Sequence, residues 1–398
     1  MERRNLSQHT VVTEGCTPQT SDAEVSARVV DMLGQLSRVR DRLRMARRVF
    51  IKLNVGEMEA QTYRGRPVDY VDPAVFRGLA TFVRQATDAH VLVGDGPCSL
   101  APAEAARAHG HMAIIEEAGF EFVDLNAPPF SRFLVPRPAM FRWYELSSAL
   151  CDADFRISVT KMKSHHLAGV TLTIKNLFGL PPDSVYGKPR AALHSSMRLP
   201  RVLADLLEVF PPEICVVDGI VGSNYCEWCV QGGDPVTSGV LIVGDNAVAT
   251  DATAARCMGL DPQADRGTAP FLRADNHIKL AAERGLGSSA SAELHLMGQM
   301  PTTEKSYSVR GANDPNLVAE VERQRRAVCR NAQWYFDDRE RFVKDYQGEI
   351  VWLAEGQVVQ HVAPIEVLGT PANKAVHDGC FAKLVQAEEA ELRKPYLL

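Results

Sequence analysis

No apolar run in this chain approaches the about 18 residues that a transmembrane helix needs, so no membrane span is expected. Its start lacks a basic stretch followed by an apolar core, so no signal peptide is expected. Excess charge is also missing. A net charge of −5 over 398 residues gives no global attraction to nucleic acid or to an anionic membrane. The nine cysteines are odd in number and scattered, which excludes a secreted disulfide framework and makes a reducing cytoplasm the simplest home. Repeats and low-complexity tracts are absent. What remains is ordinary globular composition, 45% hydrophobic and 23% charged. The length suffices for roughly two or three domains.

The element pattern predicts an α/β fold. Residues 49–55, 90–93 and 120–125 read as short buried strands, with helical patterns after Asp72-Pro73 and over 101–118 between them. That alternation implies a mixed, mostly parallel sheet with helices on both faces. Residues 1–20 read as a flexible lead, and 21–48 as helical, capped by Ser21 or Asp22. An α/β domain is expected over 21–300, with a break near 126–150, where a proline- and aromatic-rich crossing segment precedes a short helix at 145–151. Residues 184–201 are polar and read as a loop or lid. A linker over 301–330 leads to a small α+β C-terminal domain at 331–398, a helix followed by a hairpin around Glu355-Gly356. This domain is similar to a helix-plus-hairpin accessory module of diverse bacterial proteins and is a candidate surface for a homo-oligomer.

Chemistry concentrates in residues 157–180. A β-branched strand there runs directly into Lys161, Lys163, Ser164, His165 and His166. Open α/β sheets hold ligands at the carboxyl ends of their strands, and lysines with histidines there attract anions and move protons or hold a metal. Adjacent strand residues point to opposite faces, so only one of His165 and His166 is expected to serve the site. Lys175-Asn176 adds a cation and an amide. Lys52 and Asn54, two apart at another strand end, form a candidate second wall. Gly94-Asp95-Gly96, continuing to Cys98-Ser99, is a glycine-rich turn able to receive an anion, with capping as the plain alternative for Asp95 and Ser99. His109 and His111 share no helical face and read as non-ligands. His194 precedes a helix. Asp218 ends a strand. Cys226 and Cys229, ahead of Gln231-Gly232-Gly233, are a lone Cys-x-x-Cys pair that suits a metal, a redox couple or inert thiols. Asp251 lies in a first helical turn, where a carboxylate suits the dipole with or without a function.

Lys163-Ser164-His165, Ala168-Gly169-Val170-Thr171, Lys175-Asn176-Leu177-Phe178-Gly179 and the stretch 244–259 together resemble the domain-of-unknown-function-362 family over about 49–290. The resemblance implies site roles for Lys52, Asn54, Asp95, His194 and Asp251. Some members carry ferredoxin-like iron–sulfur modules. His165, Ala168-Gly169 and Lys175 are more distantly similar to the nickel-pincer lactate racemase family, where the histidine binds nickel. Thr171-Leu172-Thr173 stands where those racemases have a Gly-Gly run.

The reading is a cytoplasmic enzyme, an isomerase, lyase or oxidoreductase, acting on a small carboxylate-bearing substrate. His165, Lys163, Lys175 and His194 are the catalytic candidates. Lys52, Asn54, Gly94, Asp95, Gly96, Asn176 and Asp218 are the binding candidates. A divalent metal or iron would fall to His165, Asp251, Cys226 and Cys229. A redox protein using the two cysteines and a non-catalytic binding protein are the alternatives. Neither nucleic acid nor membrane is an expected partner.

Overall fold

The computed structural model describes residues 9–56, 61–97, 101–229, 232–300, 303, 306–369 and 379–397. Cys98, Ser99, Gln231 and residues 1–8 of the expected lead lie outside them.

Nine strands form the main sheet: β1 (His9–Gly15), β2 (Arg48–Leu53), β3 (His90–Asp95), β4 (Glu121–Asp124), β5 (Phe155–His165), β6 (Gly169–Thr171), β7 (Ile214–Asn224), β8 (Asp234–Gly244) and β9 (Leu294–Gly298). Their order is β9-β1-β8-β7-β5-β2-β3-β4, with β6 folded back on β5. The run β7-β5-β2-β3-β4 is parallel throughout. Among the described residues, antiparallel pairing in this sheet occurs where β8 meets β1 and β7 and where β6 meets β5. The fold is the mixed, mostly parallel α/β sheet that the alternation implied.

Period-2 side chains explain why both faces are covered. Val49, Ile51, Ile157, Val159 and Val216 pack into one core with Val25, Val29, Phe76 and Leu79. Those last four come from the helices Asp22–Gly34 and Pro73–Ala86. Phe50, Met162, Cys215 and Val217 face the other core, beneath Leu199–Val209 and Ala247–Cys257. The helix starts follow local chemistry: Ser21 Oγ accepts from Glu24 N at 3.3 Å, and Asp72 Oδ1 from Ala74 N at 2.8 Å. Among the described residues no helix is long and apolar enough to cross a membrane.

Several expectations are corrected. The lead is not wholly flexible, because residues 9–15 are β1, held between β8 and β9. Residues 21–48 hold two helices, Asp22–Gly34 and Ser37–Met45, not one. The crossing segment and the short helix at 145–151 are an antiparallel hairpin, Phe130–Leu134 with Trp143–Ser147, closed by a single 3-10 turn. The polar stretch 184–201 is no open lid. Arg190 and Arg198 within it are buried and bound to Pro181 O and Glu391.

The C-terminal hairpin forms as read, with Glu355 (φ 50°) and Gly356 (φ 74°) at its turn and Phe381–Leu384 as a third strand. Yet the helix Leu317–Asp337 runs through the expected boundary at 330. Met140 O accepts from Leu392 N and Ala390 O from Arg142 N, each at 2.8 Å. Trp352 and Tyr335 share a core with Phe178 and Leu199. The C-terminal segment is thereby built into the α/β region.

Residues 101–118 also split, into Pro102–Ala108 and His111–Glu117, with Gly110 (φ 79°) between. His111 is fully buried and Nε2 meets Val71 O at 2.8 Å. Burial pushes its pKa down to about 4 from the ordinary 6.5. The unfolded chain binds this proton from about pH 6.5 downward, and the folded chain does not until about pH 4. Its contribution is full above 6.5 and is lost as pH falls toward 4. His111→Gln keeps a donor for Val71 O and removes the titration. Urea unfolding between pH 4.5 and 7.5 should show a flatter acid limb, by up to about 1.4 kcal/mol per pH unit for one proton. An unchanged slope would refute this.

Candidate active site

Most strand-tip ions are consumed internally. Lys52, at the end of β2, is 1% exposed. Its Nζ binds Asp95 Oδ1 directly and reaches Asn176 Oδ1 at 3.2 Å. Asp95 Oδ2 accepts from Val55 N at 3.0 Å and Oδ1 from Gly96 N at 2.8 Å. Asn176 Nδ2 donates to Lys52 O and Val159 O. These three clamp β2, β3 and β5 together. Asn54 joins the same seam by backbone bonds to Val159 and Val71. The two described glycines of the glycine-rich turn are packed against other protein: a Cβ on Gly96 would lie 2.7 Å from Gly179 O and 2.9 Å from Arg190 Nη2, and one on Gly94 2.8 Å from Phe50. That close approach is why glycine stands there.

Lys161 and Asp218 are a fully buried pair at 2.9 Å. Lys163 Nζ donates to Asp69 O at 2.8 Å and sits 4.6 Å from the Trp228 ring centroid. Asp251 is a helix clamp. It accepts from Thr173 N at 2.8 Å, Ile174 N at 2.9 Å and Thr173 Oγ1, at the start of Thr173–Asn176. Burial pushes its pKa up to about 7 against those bonds. Both of its carboxylate oxygens are engaged, by backbone N–H groups and the threonine hydroxyl. Cys226 and Cys229 are buried thiols, the second pushed up to about 11 by burial, so both are protonated at neutral pH. Neither stands in a group of metal donors among the described residues.

A different constellation forms where β5 ends. His165 is its last residue, and the chain turns at once through 166–168 into β6. The turn frees His166 from strand alternation. The two rings stack, centroids 5.1 Å apart and 14° from parallel, on one side of the sheet. The expectation of opposite faces fails for that reason. His166 Nδ1 lies 2.8 and 3.0 Å from the two Glu227 carboxylate oxygens. His165 Nε2 lies 3.6 Å from Glu227 Oε1. His194 stands edge-on to both, its centroid 5.7 and 6.3 Å away. Lys175 Nζ is 4.6 Å from the Phe178 centroid, and Phe178 packs on His194. His165 is buried, while the His166 side chain is 33% exposed and marks the way in.

Electrostatics separates the groups. Burial pushes His165 well below the usual imidazole range, with Lys175, His166 and His194 adding to it against Glu227. Burial alone would raise Glu227, but His165 and His166 beside it hold the carboxyl well below the usual range. The shift at His165 favours its neutral form, and the shift at Glu227 favours its ionised form. Fully buried His277 stands behind Lys175. Neither of its ring nitrogens completes a hydrogen bond of good geometry, and burial, then Lys175, pushes its pKa down to about 3. Two residues before Glu227 stands Tyr225, a non-glycine residue at φ 65°. Such strain is held by surrounding structure and clusters at functional sites.

Of the sequence candidates, the structure gathers His165, His194 and Lys175, and leaves Lys52, Asn54, Gly94, Asp95, Gly96, Asn176, Asp218 and Asp251 in structural roles. Sequence reasoning missed Glu227, His277 and the partnership of His166. Glu227 sits inside the Cys-x-x-Cys pair, whose thiols are the stronger local signal for chemistry. A depression of about 430 Å³ lined by Gln263, Lys279, Glu283 and Ser288 lies elsewhere and has neither histidine nor cysteine in its wall.

A family model described as Domain of unknown function (DUF362) matches residues 49–256, a span that holds His165, His166, Lys175, His194 and Glu227. The chain is 25% identical over 213 residues to the Thylakoid-associated protein sll1697 of Synechocystis sp., covering 52% of this chain and 62% of that protein. It is similar to the structure of the lactate racemase apoprotein from Thermoanaerobacterium thermosaccharolyticum at 12% identity and a TM-score of 0.40. That match covers 63% of this chain and 57% of the other. The chain thus spans less than two thirds of either protein.

Proposed function

This chain belongs to the DUF362 family, whose name assigns no activity, and we propose from its own side chains that it is an enzyme moving a proton on a small, carboxylate-bearing substrate. The observation that carries this reading is the His166–Glu227 pair. A buried carboxylate accepting from Nδ1 holds a hydrogen on that nitrogen of His166, so in the singly protonated ring Nε2 holds the lone pair. Glu227 also stabilises the imidazolium that forms when Nε2 takes a proton. His166 is thus the base, oriented by a positioning carboxylate, and it stands where the cluster opens. Lys175 supplies the cation for the substrate anion. His194, edge-on to both rings, is placed to exchange a proton with the same substrate.

The chemistry is removal of a hydrogen from the carbon beside a carboxylate. The C–H electron pair moves toward the carboxylate, His166 Nε2 takes the proton, and return of a proton completes racemisation or isomerisation. Loss of a leaving group from the neighbouring carbon completes elimination. No oxidant is required. The test is exchange in deuterium oxide: the full chain is incubated with a panel of small hydroxy-, oxo- and amino-carboxylates and followed by mass spectrometry. At least one compound should gain a mass unit at that carbon faster than without protein. A panel in which nothing exchanges refutes the reading.

A further inference from the structure

We infer that His165 is a second catalytic group: a neutral imidazole fixed as its Nε2–H tautomer, which donates to the substrate oxygen that gains negative charge and does not bind metal. This rests on the proton-transfer reading above. The donor atoms of His165, His166 and Glu227 lie within 4.8 Å of one another, and by distance alone the trio suits a metal ion. The hydrogen-bond directions do not.

His165 Nδ1 accepts from both Leu167 N and Ala168 N, each at 3.1 Å. A nitrogen facing two N–H groups presents its lone pair and carries no hydrogen. A neutral imidazole has one N–H, so here it lies on Nε2. A metal at Nε2 would need that lone pair. Freeing it would move the hydrogen to Nδ1, against both backbone donors. The turn that aims those donors cannot easily yield. Gly169 sits at φ 84°, and Phe271 packs so closely that a Cβ there would meet its ring at 2.8 Å. The trio therefore offers His166 and Glu227 alone, too few for a protein site that prefers about three or four ligands.

What the tautomer offers instead is a preset donor. Nε2 lies 3.6 Å from Glu227 Oε1, beyond a formed hydrogen bond, so that carboxylate leaves its hydrogen to a substrate oxygen. The adjacent residues thereby carry opposite tautomers with complementary tasks. His166 Nε2 takes the proton from carbon, and the electron pair left behind collects on the carboxylate oxygens. His165 Nε2–H and Lys175 meet that charge. His165 keeps its own hydrogen throughout, so protons and charge balance without a co-reactant. A donor held in place before reaction pays no reorganisation when the charge develops.

The test uses the full chain with ring-¹⁵N histidine, its His165 signals assigned with the His165→Asn variant. Two-bond ¹H–¹⁵N spectra between pH 5.5 and 8 should show a bare Nδ1 and a protonated Nε2. One equivalent of zinc chloride should leave both unchanged. A hydrogen on Nδ1, or zinc coordination at Nε2, overturns the inference. This spectrum needs no substrate, so it decides the tautomer even if no compound exchanges and the proton-transfer reading fails. On a compound that does exchange, His165→Asn retains an acceptor for Leu167 N and Ala168 N but lacks the donor, and should slow exchange ~100-fold at an unchanged unfolding midpoint. His165→Gln restores an N–H near the Nε2 position and should recover ~10-fold of that loss. Equal rates for wild type and His165→Asn also overturn the inference.

Discussion

Asp218→Ala should lower the stability of the folded chain by roughly 3–5 kcal/mol; the sequence suggests a strand end at Asp218, but the residue lies inside β7 (Ile214–Asn224), walled in on both sides. Asp218 and Lys161 are each 0% exposed. The carboxylate accepts from Lys161 Nζ at 2.9 Å, Asp72 N at 2.8 Å and Ile220 N at 3.1 Å. Removing it strands an ammonium and two amides in a site closed to water. The loss also reaches the helix Pro73–Ala86, since Asp72 is its cap. Urea unfolding at pH 7 measures the effect. Asp218→Leu combined with Lys161→Met should recover much of it, because an apolar pair of similar volume leaves no unpaired charge. A single Asp218→Ala variant within 1 kcal/mol of wild type would show that the pair is dispensable.

Glu227→Gln should have the opposite profile, with exchange of the substrate's carbon-bound hydrogen slowed about 10²–10⁴-fold and the fold retained. The glutamine oxygen can still accept from His166 Nδ1, so local packing survives. It brings no charge to stabilise a protonated imidazole. Its amide can also turn its NH₂ toward Nδ1 and draw the hydrogen onto Nε2, the wrong nitrogen for a base. Mass-spectrometric exchange on the compound found by the deuterium panel gives the rate, and urea unfolding gives the stability. A rate within tenfold of wild type would remove Glu227 and His166 from the chemistry. The contrast between Asp218 and Glu227 is instructive. Both are buried carboxylates, but Asp218 is engaged by backbone and a fully enclosed lysine, while Glu227 holds an imidazole that reaches solvent.

Much of the fold was legible because its signals are local. The β-branched and apolar runs near 49–55, 90–93 and 157–160 are strands, and their alternate residues feed two cores on opposite faces. The Ser21 and Asp72 caps act within three residues of themselves. The hairpin at 130–147 was misread because proline and aromatic content resembles a crossing segment whether or not strands form. The stretch at 184–201 was misread because arginines normally mark surface. Arg198 is instead enclosed by Glu391, which is 193 residues away. At the site, the density of lysine and histidine in 161–175 pointed to the right neighbourhood and to His165 and Lys175. It also promoted Lys52, Asp95 and Asn176, which hold strands together.

Composition and period by themselves determined that this chain builds a mostly parallel α/β sheet, and that imidazoles and cations gather at one strand's carboxyl end. Tertiary structure alone decided which ion faces which: Lys52 meets Asp95 across 43 residues, Lys161 meets Asp218 across 57, and His166 meets Glu227 across 61. Side-chain periodicity acts over a few residues and is written in the chain. A buried charge must instead be matched by whatever group folding brings within hydrogen-bond reach, and loop closure costs so little more with length that sequence distance carries almost no information about the partner.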